Sequence, residues 1–334
     1  MSHPSNSPVS RRAFIRNTGL MTGASMLSTQ PVTGGDREAP PLDTIPDGLP
    51  RRILGRTKVP VTTFTMGTAA CGSLPPAEIA KLVNVALDEG VNSVDTSERY
   101  QNSQEGVGLA LGKRRKDVFL STKVFANSIP EAEASLARSI RELKTDYIDL
   151  LYYHGLGNLN IEGAMEPGGV FTWLLKQKQA GKCRFVGVSG HHLPGRFQQF
   201  LESGEVDVML VTVNFIDRHT YNFEERVLPL ARKHDVGIVA MKVYGGMAGM
   251  KYAKPGPAQL AAKHVPAALR YALSVPGVAT ANIGVHSIKE IRHNVHMAKD
   301  FQPLSEEELA DLLKQGKPLA ADWGEHFGPV EERF

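Results

Sequence analysis

The chain has 334 residues, 42% hydrophobic and 22% charged, with a formal net charge of +3. That composition suits a soluble globular protein with a large core, and the charge is too mild to imply a nucleic-acid partner. Cys71 and Cys183 are the only cysteines and lack a C-x-x-C spacing, which excludes a thiolate zinc site and an iron–sulfur ligand set.

Residues 1–50 are rich in Ser, Thr, Pro and Gly and carry no strand pattern. Within them, Ser10-Arg11-Arg12-Ala13-Phe14-Ile15 resembles a twin-arginine export signal, and a mildly apolar run from Gly19 to Leu27 follows it. The expectation is a signal and linker handled by the twin-arginine machinery, hence a periplasmic or exported protein; a cytoplasmic tail is the alternative. No segment reaches the roughly 18 apolar residues of a transmembrane helix.

Residues 51–334 read as one domain. Arg52–Leu54 and Lys58–Val61 form two short strands around a Gly55-Arg56-Thr57 turn, a hairpin able to plug the bottom of a barrel. Apolar strands follow near 63–68, 91–94, 117–122, 147–152, 183–188, 207–213, 236–241 and 278–283. Helical periodicities separate them, such as Ala77–Asp88 and Pro130–Leu143. Pro76 and Pro130 sit at helix starts, and Gly90, Gly204 and Gly237 lie where a left-handed residue ends a helix. The basic run Lys113-Arg114-Arg115-Lys116 reads as a solvated loop. The alternation predicts a (β/α)8 TIM barrel. An open doubly wound sheet is disfavoured, because Gly106-Val107-Gly108 opens no strand–turn–helix unit.

Titratable residues recur at the exits of successive strands. Asp95 ends the apolar strand of VNSVDTSERY and Tyr100 follows in a polar loop; Lys123 closes VFLSTK and His154 closes IDLLYYH. Strand exits of a parallel barrel converge on its C-terminal face, where barrel active sites lie. Taken singly, each has an ordinary reading as a cap, a packed phenol, a solvated ammonium or a structural imidazole.

The string VDTSERYQNSQEGVGLAL resembles the aldo-keto reductase signature, and STK, YYH, GVSGH (187–191), VNFIDR (213–218), VAMK (239–242) and IGVHSIKEIRHN (283–294) continue the resemblance to about residue 300. It implies an NAD(P)H-dependent oxidoreductase that interconverts an aldehyde or ketone and an alcohol. Tyr100 is then the proton donor, Lys123 lowers its pKa, Asp95 holds Lys123, and His154 orients the carbonyl oxygen. By the same resemblance Ser189 and Asn214 hold the nicotinamide end and Met241 stacks on its ring. Lys242 meets the pyrophosphate, and Gly284, His286, Ser287, Arg292 and Asn294 bind the adenosine end. NADP(H) is the expected cofactor, with NAD(H) possible because Glu290 stands where some members carry an Arg. Two further departures are Gly190 and Leu210, in place of an Asn and a Gln.

Other features are weaker. His191 and His192 are adjacent and point to opposite sides of an extended strand end; His293 and His296 share a helix face without an acidic partner, so no metal is expected. Phe171 and Trp173 read as core or substrate-loop residues, Ser305 with Glu308 as a capping box, and Trp323 and Phe327 as candidates for the substrate pocket. The partner expected is a small carbonyl or alcohol, with the chain a monomer or weak homo-oligomer. The alternative to an enzyme is a dinucleotide-binding sensor or regulatory barrel, which has no use for an intact proton donor.

Overall fold

A computed structural model describes residues 48–246 and 260–332. The export-signal and linker reading of the N-terminus falls outside them, save for 48–50. Leu49 is nonetheless a core residue, 2% exposed, so the packed domain starts slightly before Arg51.

The elements follow in chain order. A two-stranded antiparallel hairpin comes first, β1 (Arg51–Ile53) and β2 (Pro60–Thr62), joined through a 3-10 turn at Gly55–Thr57. Then come β3 (Phe64–Gly67), α1 (Pro76–Asp88), β4 (Ser93–Asp95), α2 (Ser103–Leu111), β5 (Phe119–Val124) and α3 (Ile129–Leu143). They are followed by β6 (Ile148–Tyr153), α4 (Val170–Gln179), β7 (Cys183–Gly190), α5 (Phe197–Glu202) and β8 (Val208–Thr212). The remainder is α6 (Phe223–Arg226), α7 (Leu228–Lys233), β9 (Gly237–Met241), α8 (Val265–Ser274), β10 (Val278–Gly284), α9 (Ile288–Lys299) and α10 (Glu306–Trp323).

Strands β3 to β10 pair in sequence order, all parallel, and β10 closes on β3. The predicted (β/α)8 barrel is therefore the fold. Strands β4 and β5 run one or two residues later than the apolar runs suggested, so Lys123 lies within β5 and not beyond it. The helices bury one face each: α1 places Ile79, Leu82, Val83, Ala86 and Leu87 against the barrel, the spacing that a 3.6-residue period demands.

The hairpin closes the bottom. Leu54 and Val61 join the interior cluster with Phe119, Leu150, Val208 and Val239. Gly55 (φ +49°) passes so close to Gly237 that a Cβ would lie 2.3 Å from the Gly237 nitrogen. Gly237 accordingly serves close approach: it opens β9 under Leu54, and only Gly90 and Gly204 of the three helix-end candidates have positive φ. Beneath the hairpin Arg52, 1% exposed, donates from one guanidinium nitrogen to the carbonyls of Leu273 (2.8 Å) and Val278 (2.7 Å). Burial pulls its pKa down to about 10.

The basic run after α2 is only partly a solvated loop. Arg114 reaches Asp88, whereas Arg115 turns inward to Asp149 (2.7 Å) and to the Tyr147 and Val118 carbonyls. Phe171 and Trp173 are core residues of α4. The capping box at α10 is present, with Ser305 Oγ accepting from the Glu308 N–H and the Glu308 carboxylate accepting from the Ser305 N–H. After α10 the tail crosses back over the C-terminal face, held by ion pairs from Arg196 to Glu332 (2.5 Å) and from Arg226 to Glu331.

Arg52→Met strands two buried carbonyls, each costing about 1–3 kcal/mol unpaired. Chemical denaturation should report a loss of about 2–5 kcal/mol on that basis; an unchanged midpoint would show the guanidinium to be dispensable.

Candidate active site

Strand parity assembles the site. In β5 the residues Phe119, Ser121 and Lys123 share one side, and the register pairs Ser121 with Asp95 and Lys123 with Tyr152. Two residues beyond Tyr152, the same parity delivers His154. The register likewise pairs Ser189 with Leu210, Thr212 with Met241, and Met241 with Asn282. Side chains of matching parity thus gather at the C-terminal mouth, where Asp95, Leu210, Met241 and Asn282 line one cleft.

Asp95 and Lys123 form the floor. Their side chains are 5% and 1% exposed, and Lys123 Nζ donates to Asp95 Oδ2 at 2.5 Å and to the Thr96 carbonyl at 2.7 Å. The carboxylate accepts two more hydrogen bonds, from Ser121 Oγ on Oδ1 (2.7 Å) and from Asn282 Nδ2 on Oδ2 (2.9 Å). A buried ion pair survives only when its remaining lone pairs and protons are satisfied in this way. The ammonium lies 5.1 Å from the centre of the Tyr100 ring, and Tyr100 stands edge-on to His154 with centroids 6.2 Å apart. All four expected residues therefore meet.

The electrostatics revise one expectation. Burial raises the Tyr100 pKa above the usual phenol value; Lys123 opposes this, and Asp95 adds to it. Lys123 thus lowers the phenol pKa as its own contribution, but desolvation outweighs it. His154 is held well below the ordinary imidazole value by burial, then by Lys123, Arg99 and Lys242, so the ring is neutral near pH 7. Its Nδ1 is buried without a hydrogen-bond partner.

The cleft is lined by Asp95 and Tyr100 on one side and by His191, Leu210, Met241 and Lys242 on another. It continues along Val243–Gly246 and past Gly67, Ala69 and Asn282–Gly284. Small residues keep it open, and a Cβ on Gly67 would stand 2.5 Å from Asn282 Oδ1. That oxygen is buried without a partner, an acceptor held ready beside the glycine. A glycine-lined slot with a free acceptor and an apolar Met241 side fits the nicotinamide end of a dinucleotide.

The other expected cofactor residues are distributed as follows. Ser189 is buried at the end of β7, its Oγ near the Gly155 N–H (3.3 Å). The Asn214 carboxamide donates to Asp217 Oδ2 (2.6 Å) and the Lys242 carbonyl (3.0 Å), and accepts from the Ile216 and Asp217 N–H groups. Both its hydrogens and its oxygen are used within the protein. Gly284 lies on the cleft, while Ser287 caps α9 by accepting from the Glu290 N–H. Glu290 in turn accepts from the His286 N–H (2.6 Å) and faces the His286 ring. Arg292 is tied to Glu89 just after α1 (2.9 Å), and Asn294 Oδ1 accepts from the Tyr244 hydroxyl (2.9 Å).

Sequence reasoning missed Ser121 and Asn282 as partners of Asp95. Their signal is visible in retrospect: both interrupt apolar strands at inward positions, as do Thr65, Ser93 and Thr280. Those three hydroxyls bond one another inside the barrel at 2.6 Å and 2.8 Å. Phe327 and Trp323 were both candidates for the substrate pocket. The tail sets the Phe327 ring 5.1 Å from His191 and 5.9 Å from Lys242 Nζ. Tyr221, whose hydroxyl meets the Phe327 N–H, and a buried His326–Asp217 pair at 2.8 Å anchor it. Trp323 packs on His326 instead of the cleft (5.4 Å). Among the described residues no group of three or more metal-ligating side chains converges, and no helix is long and apolar enough to cross a membrane.

Known proteins resemble this chain in sequence and fold. The profile of the Aldo/keto reductase family matches residues 63–265. An uncharacterized oxidoreductase of Bacillus subtilis, YqkF, is 25% identical in an alignment 310 residues long that covers 80% of this chain and 96% of that protein. The holo form of an aldo-keto reductase from Bacillus halodurans superposes with a TM-score of 0.65 at 23% identity, covering 80% of this chain and 96% of that one. An aldo/keto reductase from Klebsiella pneumoniae, solved with NADP and acetate, gives 0.63 at 19% identity, covering 84% and 97%.

Removing one partner of a buried, hydrogen-bonded ion pair costs about 3–5 kcal/mol. Lys123→Met should therefore lower unfolding stability by about that amount, read by urea titration; a change below about 1 kcal/mol would mean that the Asp95 carboxylate is served by Ser121 and Asn282 alone.

Proposed function

The chain belongs to the aldo/keto reductase family and is an oxidoreductase; from that premise we propose that it reduces an aldehyde or ketone to the alcohol, or runs the reverse, with Tyr100 as proton donor. The observation that carries the reading is the clustering of Tyr100, His154 and the buried Lys123–Asp95 pair, with Tyr100 and Asp95 lining the cleft. A nicotinamide dinucleotide, when bound, supplies or accepts the hydride. NADP(H) is the nucleotide we assign, supported by the Klebsiella protein's complex with NADP. The nicotinamide end would meet Met241, Ser189 and Gly67; the far end would meet Gly284, His286, Ser287, Arg292 and Asn294 at the start of α9, where N–H groups and the helix dipole favour a phosphate.

The protein's own contribution is proton supply and aim. A phenol with a raised pKa stays protonated through neutral pH, the state a donor needs before reduction. As negative charge grows on the carbonyl oxygen, the proton on Tyr100 Oη moves to it, and the nearby Lys123 ammonium stabilises the phenolate left behind. The neutral His154 ring steers the carbonyl oxygen toward Tyr100 by a hydrogen bond. Asp95 keeps the ammonium in place, with Ser121 and Asn282 keeping Asp95 in place. A sensor barrel without turnover is not favoured, because binding alone would not require this buried ion pair beneath a phenol.

The reading makes a directional prediction. Tyr100→Phe should reduce kcat by a factor of about 100 to 10,000, the range for losing a general acid, while the NADPH dissociation constant, read by fluorescence, shifts little. With a raised phenol pKa, wild-type reduction should hold level through neutral pH and fall only on the alkaline side. Oxidation needs the phenolate and should rise with pH over the same interval. Unaltered turnover in the variant would remove Tyr100 from its role.

Export by the twin-arginine route belongs to the same proposal and rests on Ser10–Ile15. Cell fractionation of the protein and of Arg11→Lys/Arg12→Lys should find the first outside the cytoplasm and the second retained; a cytoplasmic wild type would refute export.

A further inference from the structure

Asp95 and Lys123 stand on strands, whereas Tyr100 stands on the loop that joins β4 to α2. A reacting group must be held to a fraction of an ångström, which a short polar loop does not achieve by itself. Three hydroxyls close the base of this loop. Thr96, just after β4, and Ser103, the first residue of α2, face each other across it with their oxygens 2.7 Å apart. Ser103 Oγ lies 2.5 Å from Thr68 Oγ1, which lies 2.9 Å from the Asp95 carbonyl. All three side chains are fully buried. The available protons give the relay one direction. A carbonyl only accepts, so Thr68 donates to Asp95; Ser103 then donates to Thr68, and Thr96 to Ser103. Each hydroxyl proton is used once, and hydrogen bonds chained in this way strengthen one another.

The far side of the loop rests on the segment between β3 and α1. The Asn102 N–H donates to the Gly72 carbonyl (3.0 Å), and the Asn102 carboxamide donates to the Leu74 carbonyl (3.0 Å). Gly72 lies flush against Tyr100: a Cβ there would stand 2.4 Å from the Tyr100 carbonyl oxygen. Its φ is not left-handed, so an added methyl group would leave the Gly72 backbone allowed and press on Tyr100 instead. Gln101, next to Tyr100, is held at φ +50°, a conformation that a residue with a side chain keeps only under constraint from its surroundings. The shape of the loop is thus imposed from its base and its far side.

We propose that the Thr96–Ser103–Thr68 relay and the Gly72 seat are the positioning device of the proton donor, fixing the reach of the Tyr100 hydroxyl toward the substrate oxygen and toward Lys123. The inference rests on the reading of Tyr100 as donor and adds positioning residues that do not themselves line the cleft. A seam that served stability alone could end on any buried carbonyl. This one ends on the backbone of Asp95, whose carboxylate holds the ammonium, and the Thr96 carbonyl accepts from the same ammonium (2.7 Å). One strand exit therefore carries the acid, a second acceptor for Lys123 and the foot of the phenol's loop. Phenol and ammonium are referred to a common point.

Single-turnover oxidation of bound NADPH by 4-nitrobenzaldehyde, butanal or butanone, whichever the wild-type protein reduces fastest, reads the chemical step directly. Ser103→Ala, Thr68→Val and Gly72→Ala should each slow it by about 10- to 100-fold, the effect of displacing a reacting group by about an ångström, yet by less than Tyr100→Phe. The NADPH dissociation constant, measured by fluorescence, should stay at the wild-type value. Thr68→Ser keeps the hydroxyl and should recover most of the rate lost in Thr68→Val. Replacing H2O by D2O should slow the three impaired variants more than the wild type, because a misplaced donor makes proton transfer the slow event. Wild-type rates in Ser103→Ala and Gly72→Ala, with Tyr100→Phe impaired, would overturn the inference and leave the donor assignment standing. So would a Thr68→Ser protein as slow as Thr68→Val, or rates that fall only together with NADPH affinity. A Tyr100→Phe protein as fast as wild type, or no reduction of any of the three compounds with NADPH or NADH, would instead overturn the reductase reading, and the inference with it.

Discussion

The Lys123–Asp95 ion pair is the constraint to which the rest of the molecule answers. Two opposite charges almost entirely removed from water are tolerable only if every remaining valence is met, and three strands contribute to meeting them. Strand β4 brings the carboxylate and β5 the ammonium and Ser121. Strand β10 brings Asn282 from the far side, and the chain just after β4 offers the Thr96 carbonyl. The pair therefore acts as a register pin. A one-residue slip of any of these strands would turn its contribution outward and leave a charge unsatisfied.

The pin also explains why the barrel interior departs from an oily core. Tyr152, Ser121, Thr65, Ser93 and Thr280 lie inside, and the hydroxyls of Thr65, Ser93 and Thr280 bond to one another across the strands. Apolar packing is concentrated at the bottom, where the hairpin meets Phe119, Leu150, Val208 and Val239, and outside, where α1 and the other amphipathic helices bury their faces. Chemistry above and stability below and around is the division expected of this architecture.

Much of this was legible from residues alone. The alternation of short apolar runs with helical periodicities fixed the barrel, because only a parallel sheet closed on itself uses eight such units with no edge. Asp95, Tyr100, Lys123 and His154 were legible because strand exits concentrate chemistry and their order matches one family. What could not be read was long-range and tertiary. Asn282 touches Asp95 only because the barrel closes; Arg115 turns inward only because Asp149 stands opposite; Phe327 reaches His191 only because two ion pairs and Tyr221 draw the tail across. Likewise the sign of the Tyr100 shift depends on how deeply the ring is enclosed, a quantity that no spacing encodes.

Closure has a consequence for how the molecule comes into being. The seam between β10 and β3 joins residues nearly two-thirds of the chain apart, and the hydrogen bond from Asn282 to Asp95 spans 187 positions across it. Contacts of such separation form late, after the local β–α units have condensed, since the loop they close is entropically the most expensive. The last strand to arrive thus completes the carboxylate's surroundings. A chain arrested just short of closure would hold most of its secondary structure yet have an acid–ammonium pair open to water, so competence for chemistry doubles as the signature of a finished fold.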